Sequence, residues 1–414
     1  MSSIVQKQLF PLLRKGISAQ TLAEFVAHRS DCLRRLHQLP KRNVFHQVQL
    51  LPACSGVRAI HSNIQSSCVT SKDESRELMA VWPDLVRDLT NAGRHVDIPL
   101  VTKWMVKVLQ YNVPGGKKSR ALSCVYAYKA LASSDQLTEE NIRLSRILGW
   151  CTELLQAFLL VIDDIQDNST MRRNQPCWYL HDDIGLAAMN DGLLLETGIY
   201  QLLRRHFKRK DCYIDLVELF QDTTLKTEMG QCLDLLSTNF GKQPKLELFT
   251  MDRYNSIVKY KAAYYSFVLP VSAAMYFAGI KDPEMHRQAK TILLEMGHFF
   301  QVQDDFLDCY GDPEVTGKIG SDIEEGKCSW LVVVALQRAT PEQKKILEEC
   351  YGVKDPEKVK RVKNLYNDLG LRNTYYIYEE ETYNLLNTHI QQISRGLPHD
   401  LFLKLLERTY RRIA

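Results

Sequence analysis

From about Lys72 to the C-terminus, apolar residues recur at steps of three and four. Trp150, Leu154, Phe158 and Ile162 fall four apart, with Cys151, Leu155 and Leu159 on the adjoining row. Ile292, Met296, Phe299, Phe300, Phe306 and Leu307 repeat the spacing. Such rows cover one face of an α-helix, so both stretches predict helices with a buried stripe. Alternation with a period of two is scarce. Leu331-Val332-Val333-Val334-Ala335-Leu336 has the length of a strand, but its neighbours read as helix, so it predicts a buried helical stretch. Breaks fall at Val113-Pro114-Gly115-Gly116, Asn239 to Pro244, Gly279 to Pro283, Tyr310-Gly311-Asp312-Pro313 and Gly396-Leu397-Pro398. No linker splits the chain after residue 72. The pattern predicts one all-α domain over 73–414, a single helical bundle.

Both apolar rows stop at the same polar pattern. Phe158-Leu159-Leu160-Val161-Ile162 runs into Asp163-Asp164-Ile165-Gln166-Asp167, and Phe299-Phe300-Gln301-Val302-Gln303 into Asp304-Asp305-Phe306-Leu307-Asp308. On a helix, i and i+4 share a face and i+1 lies beside them, so each copy aims three carboxylates at one region. Like charges at that spacing cost about 0.2–0.5 kcal/mol per pair, and Asp is rarely buried without a neutralising partner. A solvated acidic face explains one copy; two copies joined to apolar rows fit it poorly. A repulsive cluster written twice calls for cations. Oxygen-only sites suit Mg²⁺, which keeps waters and shares its remaining positions with substrate phosphates.

The chain has 414 residues and is 45% hydrophobic, enough for a sizeable core, and its 20 Gly and 14 Pro are sparse enough for long helices. Its eleven cysteines are scattered without a Cys-x-x-Cys pair, which is neither a disulfide framework nor a zinc site and suggests a reducing compartment. A net charge of +4 is too small to imply nucleic acid. No apolar stretch approaches the ~18–20 residues of a membrane span. The distribution of charge says more. Residues 1–71 carry nine Lys/Arg against Glu24 and Asp31, so the remainder is net acidic. A basic, acid-poor, Ser- and Gln-rich start over residues 1–72 reads as a mitochondrial transit peptide, with a disordered basic leader as the alternative.

Clustered carboxylates with metal need an anionic substrate, and cations follow each break. Gly115-Gly116-Lys117-Lys118-Ser119-Arg120 lets backbone N–H groups approach an anion beside three cations. Arg172-Arg173 lies just beyond the first cluster; a guanidinium fork grips phosphate in bidentate fashion, although salt bridges to Asp163, Asp164 and Asp167 are the alternative. Lys261 sits in an aromatic stretch where an unpaired ammonium would be costly. Lys318 and Lys327 follow the second cluster. Together these features describe the ionisation of a hydrophobic diphosphate.

The motifs resemble those of the all-trans isoprenyl diphosphate synthases, most closely the animal farnesyl diphosphate synthases, from about residue 75 onward. The likeness is carried by Gly115-Gly116-Lys117-x-x-Arg120, Glu153-Leu154-Leu155-Gln156, the first aspartate cluster with Arg172-Arg173, and Lys226-Thr227-Glu228-x-Gly230-Gln231-x-Leu233-Asp234. Tyr260-Lys261-x-x-x-Tyr265, Gln301 with the second aspartate cluster, and Gly311-Asp312-Pro313-x-x-Thr316-Gly317-Lys318 complete it. The resemblance implies the isoprenoid synthase fold, a helical homodimer with its active cavity in the bundle core. It implies roughly three Mg²⁺ per site, with Mn²⁺ or Co²⁺ as substitutes, on Asp163, Asp164, Asp167, Asp304, Asp305 and Asp308. Arg172, Lys261, Gln301, Lys318 and Lys327 would bind the allylic diphosphate. Lys117, Arg120, Gln156 and Arg173 would bind isopentenyl diphosphate, with Arg411 and Arg412 as further contacts. The implied reaction condenses isopentenyl diphosphate with dimethylallyl and geranyl diphosphate to farnesyl diphosphate, with Asp163, Asp164, Asp167, Lys261, Gln301 and Asp304 carrying the chemistry. The expected location is the mitochondrial matrix, with the cytoplasm as the alternative.

Three positions depart from the family pattern. Ala262 stands where Thr is usual, and Ala121 and Asn174 where Gly is usual. Phe158 and Leu159 stand where animal enzymes carry two aromatics. About one turn deeper than Asp163, these two are expected to form the floor that limits product length. The alternatives are a geranyl diphosphate synthase, or a terpene synthase on the same scaffold. Retention of Lys117, Arg120, Gln156 and Arg173 argues against a terpene synthase.

Overall fold

The structure, a computed structural model, describes residues 57–91, 98–316, 320–394 and 396–410, with side chains from residue 72 onward. The chain divides into the units Met1–Ile64 and Gln65–Ala414. Of the first unit, only helical backbone from Val57 is described. Lys318, Arg411, Arg412 and residues 1–56 of the expected leader lie outside the described residues.

Helices dominate, as the periodicity predicts. In chain order they are α1 Val57–Asn91, α2 Pro99–Asn112, α3 Ser119–Leu131, α4 Glu139–Asp167, α5 Ala188–Phe207, α6 Tyr213–Ser237 and α7 Met251–Ile257. A π-helical segment, Val258–Val268, joins α7 to α8 Leu269–Phe277. Then come α9 Pro283–Tyr310, α10 Pro313–Thr316, α11 Asp322–Glu325, α12 Trp330–Arg338, α13 Pro341–Cys350, α14 Pro356–Asp368, α15 Leu371–Gln391 and α16 His399–Thr409. The run Leu331–Leu336 lies inside α12 and is helical. Among the described residues the exception to an all-helical reading is one antiparallel pair, β1 Met171–Arg172 with β2 Gln175–Pro176. Its two-residue turn holds Arg173 and Asn174 at φ 55° and 61°, the primed geometry that suits a tight hairpin. Asn tolerates that left-handed backbone, which accounts for Asn174 in place of glycine.

Two helices position the aspartates. Helix α4 starts at Thr138, whose side chain accepts from Asn141 N–H, with Glu139 and Glu140 favourably placed in the first turn. It ends at Asn168 in left-handed conformation, directly after Asp167. Helix α9 starts at Asp282 with Pro283 at its first position, and ends at Gly311 after Asp308. Both clusters therefore sit in the last turns of their helices, where the macrodipole disfavours negative charge and raises the need for cations.

Helix α4 is the centre of the bundle, buried along Trp150, Leu154, Leu155 and Phe158 against α3, α5 and α8. Trp150 Nε1 donates to Leu78 C=O at 2.9 Å, and its ring lies 4.6 Å from that of Trp82. A Cβ on Gly149 would come within 2.9 Å of Ala121 C=O, so the small residue on α4 leaves the room that Ala121 needs on α3. Helix α4 is also the one described helix long and apolar enough to cross a membrane, and 78% of its most apolar window is buried inside the protein. This corrects the expectation that no apolar stretch approaches such a length: Gly149, Glu153 and Gln156 break the run along the sequence, yet the helix as a whole is apolar enough. A second apolar cluster forms where α7, α9 and α12 to α15 pack. The eight cysteines with described side chains are unpaired.

Candidate active site

A cavity of about 520 Å³ opens between the ends of α4 and α9. Asp163 and Asp167 line one wall; Asp304, Asp305, Asp308 and Gln301 line another. Helix α6 and the π segment supply Gln231, Asp234 and Lys261, and residues 320–329 supply Glu325 and Lys327. A Cβ on Gly230 would lie 2.1 Å from Lys261 N, so glycine there lets α6 press against the π segment and bring Lys261 to Asp234.

The first cluster is neutralised by three cations. Arg172 grips Asp164 Oδ1 with Nε at 3.0 Å and Nη2 at 2.5 Å, with Nη2 at 3.7 Å from Asp163. Lys261 Nζ lies 3.1 Å from Asp163 and 2.6 Å from Asp234. Lys327 Nζ lies 2.6 Å from Asp167 and 3.1 Å from the same Asp234 oxygen. Gln231 Nε2 donates to Asp163 at 3.1 Å and to Gln166 at 2.6 Å. Burial opposes the Asp163 charge, but Lys261, Lys327 and Arg172 together hold its carboxyl well below the usual range. Burial pushes Asp164 up against the pull of Arg172. Burial and neighbouring Asp163 push Asp167 up against Lys327. Burial would lower the Lys261 ammonium, yet Asp163 and Asp234 hold it above its ordinary value.

The second cluster has different partners. Asp305 is 5% exposed and accepts from Trp330 N–H at 2.7 Å and Gln301 Nε2 at 2.9 Å. Burial outweighs these bonds and pushes its carboxyl up to about 7. Asp308 accepts from Asp322 N–H at 3.0 Å. Among the described residues no three His, Cys, Asp or Glu side chains converge into a complete cage. What the cavity offers is carboxylate oxygen on two facing walls, and a buried Asp305 that a cation would favour in its ionised form. This donor set fits a divalent cation that takes its remaining ligands from water and diphosphate, as Mg²⁺ does. Of the six aspartates expected to hold it, Asp163, Asp167, Asp304, Asp305 and Asp308 line the cavity, whereas Asp164 lies outside the lining, held by Arg172.

The other predicted group assembles beside the cavity. Arg120 is 9% exposed and donates to Gln156 Oε1 at 2.8 Å, Ser266 Oγ at 2.6 Å and Tyr265 Oη at 3.0 Å. Tyr265 also lines the cavity, so this bond joins the two sites. Buried Glu153 accepts from Ala121 N–H at 3.0 Å and fixes the start of α3. Arg173 Nη1 donates to Asn112 C=O at 3.0 Å, at the entrance to the exposed loop that carries Lys117. The expected floor is corrected in one respect. Leu159 and Ile162 line the cavity, but Phe158 does not; it turns toward Gly192 on α5, where a Cβ would meet its ring at 3.4 Å. Phe158 points about 100° away from Leu159 on α4, and on its side of the helix it packs into the core. Ala262 lines the wall where the family hydroxyl is missing. Asp234, Gln231 and Glu325 were not among the residues expected to act. The spacing of Gln231 and Asp234, three apart on one helix face, was the available signal.

Fold and site define the all-α isoprenoid synthase class. Residues 102–369 match the Polyprenyl synthetase family. The chain is 54% identical over 368 residues to the farnesyl pyrophosphate synthase of Nezara viridula, covering 89% of each chain. It is 47% identical over 360 residues to that of Homo sapiens, covering 87% of this chain and 85% of the human one. Among solved structures, the T. brucei farnesyl diphosphate synthase complexed with risedronate superposes with a TM-score of 0.75 at 31% identity, over 82% of this chain and 99% of that one. The chain belongs to the polyprenyl synthetase family.

Proposed function

We propose that this prenyltransferase condenses isopentenyl diphosphate with dimethylallyl and then geranyl diphosphate to give farnesyl diphosphate. The observation that carries this is the pair of adjoining sites: an apolar-walled cavity between two carboxylate clusters, and the Arg120–Gln156 group joined to it through Tyr265. The relatives named farnesyl pyrophosphate synthase support the same product.

Lys261, Lys327 and Arg172 are placed to receive the allylic diphosphate, exchanging carboxylate oxygens for phosphate oxygens of like charge. A divalent cation held by the aspartates supplies Lewis-acid stabilisation of charge on the departing diphosphate. Leu159 and Ile162 surround the allylic chain and keep water from the carbocation. Arg120, Arg173 and Lys117 orient isopentenyl diphosphate so that its double bond attacks that carbon, and loss of a proton restores the alkene. We assign Mg²⁺, roughly three ions per site, as the physiological metal, with Mn²⁺ or Co²⁺ as substitutes.

A homodimer and a mitochondrial location belong to the same reading. Leu186 just before α5, Met189 and Leu193 at its start, and Leu225, Met229 and Leu236 along α6 are exposed apolar side chains that a second copy of the chain would cover. The basic, acid-poor start supports import. Product analysis of residues 73–414 with Mg²⁺, isopentenyl diphosphate and either allylic substrate tests the assignment. Farnesyl diphosphate from both is expected. Geranyl diphosphate alone refutes the chain length, and a free hydrocarbon formed without isopentenyl diphosphate refutes the reaction type.

A further inference from the structure

Asp191 on α5 is 3% exposed and belongs neither to the cavity wall nor to an aspartate cluster. A buried carboxylate needs partners for its oxygens. Trp104 Nε1 donates to Oδ1 at 2.8 Å, and Trp178 Nε1 donates to Oδ2 at 2.9 Å. Trp104 belongs to α2, which leads into loop 113–118; Trp178 follows β2 of the Arg172–Arg173 hairpin. The two segments that carry the isopentenyl-site cations therefore meet on one carboxylate. Two more bonds span them: Tyr111 Oη donates to Pro176 C=O at 2.7 Å, and Arg173 Nη1 to Asn112 C=O at 3.0 Å. The Arg173 side chain lies so close to the loop that a Cβ on Gly115 would come within 3.2 Å of it, and on Gly116 within 2.9 Å. Arg173 itself holds φ 55°, a conformation that persists only where the surroundings over-determine it.

We propose that Asp191 is a positioning residue that fixes the hairpin bearing Arg173 against loop 113–118, and so sets affinity for isopentenyl diphosphate. The inference rests on the reading of Arg173 as a contact of that substrate. Chemistry requires a carboxylate here. Both indoles are donors only, so two acceptor oxygens must face them. An amide offers one acceptor and turns its own N–H groups on the second indole.

Initial rates of the full chain, measured with each substrate varied in turn, test this with Asp191→Asn, Trp104→Phe, Arg173→Ala and the double variant Asp191→Asn/Arg173→Ala. Trp104 is 37% exposed, so Trp104→Phe breaks one arm of the clamp from the surface side and keeps the test open if Asp191→Asn does not fold. Asp191→Asn and Trp104→Phe should each raise KM for isopentenyl diphosphate about tenfold while KM for geranyl diphosphate stays within about twofold. In the Arg173→Ala background the Asp191→Asn effect should largely vanish, because coupled residues are non-additive. An unchanged KM, an equal rise in both KM values, or full additivity would overturn the proposal. A normal KM for isopentenyl diphosphate in Arg173→Ala alone would instead refute the substrate assignment of Arg173, and the proposal with it.

Discussion

Asp234 carries more of the active site than its place outside both aspartate clusters suggests. It is 4% exposed, and its Oδ2 accepts from Lys261 at 2.6 Å and from Lys327 at 3.1 Å. Each ammonium has a second carboxylate, Asp163 at 3.1 Å for Lys261 and Asp167 at 2.6 Å for Lys327. Removing one member of a buried ion pair costs about 3–5 kcal/mol. Because both lysines keep a partner, Asp234→Ala should fall at the low end, about 3 kcal/mol. Asp234→Asn, whose amide oxygen still accepts, should lose about half of that, one charge-assisted bond at ~1.5 kcal/mol. Chemical unfolding in chelator-treated buffer reads this directly. The same geometry predicts an effect on metal demand. Without Asp234 the two ammonium groups lean mainly on Asp163 and Asp167, with Glu325 at 3.8 Å from Lys327, and there they compete with the incoming cation. Half-saturating Mg²⁺ for activity should rise about five- to tenfold, equivalent to ~1–1.4 kcal/mol. An Asp234→Ala protein within ~0.5 kcal/mol of the parent and with unchanged Mg²⁺ demand would show that the lysines do not depend on this carboxylate.

Three further outcomes follow from the geometry. Asp163→Ala and Asp304→Ala should each lower kcat by at least about 10²-fold with an unchanged far-UV circular dichroism spectrum; near-normal turnover in either would remove that residue from the metal site. Leu159→Phe should shift products toward geranyl diphosphate, and an unaltered distribution would take Leu159 off the cavity floor. Burial pushes the His298 imidazole down to about 4, so it stays neutral where the unfolded chain is already protonated. The His298 contribution to stability should therefore fall as pH drops from 6.5 toward 4, by about 3 kcal/mol, while Asp305, raised to about 7, contributes in the opposite sense over the same window. The parent should accordingly lose unfolding midpoint relative to His298→Gln as pH falls through this window; a constant difference between the two would remove the His298 titration from the pH dependence.

Much of this molecule is local in origin and so legible along the chain. A period of 3.6 with few breaks specifies helices whatever packs against them. The step from i to i+4 places Asp163 beside Asp167 and Asp304 beside Asp308 before any tertiary contact forms. The motifs between Gly115 and Lys327 likewise mark where cations answer carboxylates. Folding decided which of these groups meet. The sequence holds Lys261, Lys327 and Asp234 at separations that local rules do not reach; the approach of α6 to the π segment at Gly230 brings Lys261 to Asp234, and the 320–329 segment delivers Lys327. Phe158 and Leu159 are equivalent as apolar neighbours in sequence, yet rotation of α4 against α5 gives the cavity to one and the core to the other. Asp191 gave no signal at all, since a lone Asp at the start of a helix is ordinary, and its meaning depends on two indoles delivered by distant segments. Periodicity and charge spacing are properties of adjacent residues and determine elements and chemistry; partner choice is a property of packed surfaces, and the tertiary structure alone decided it.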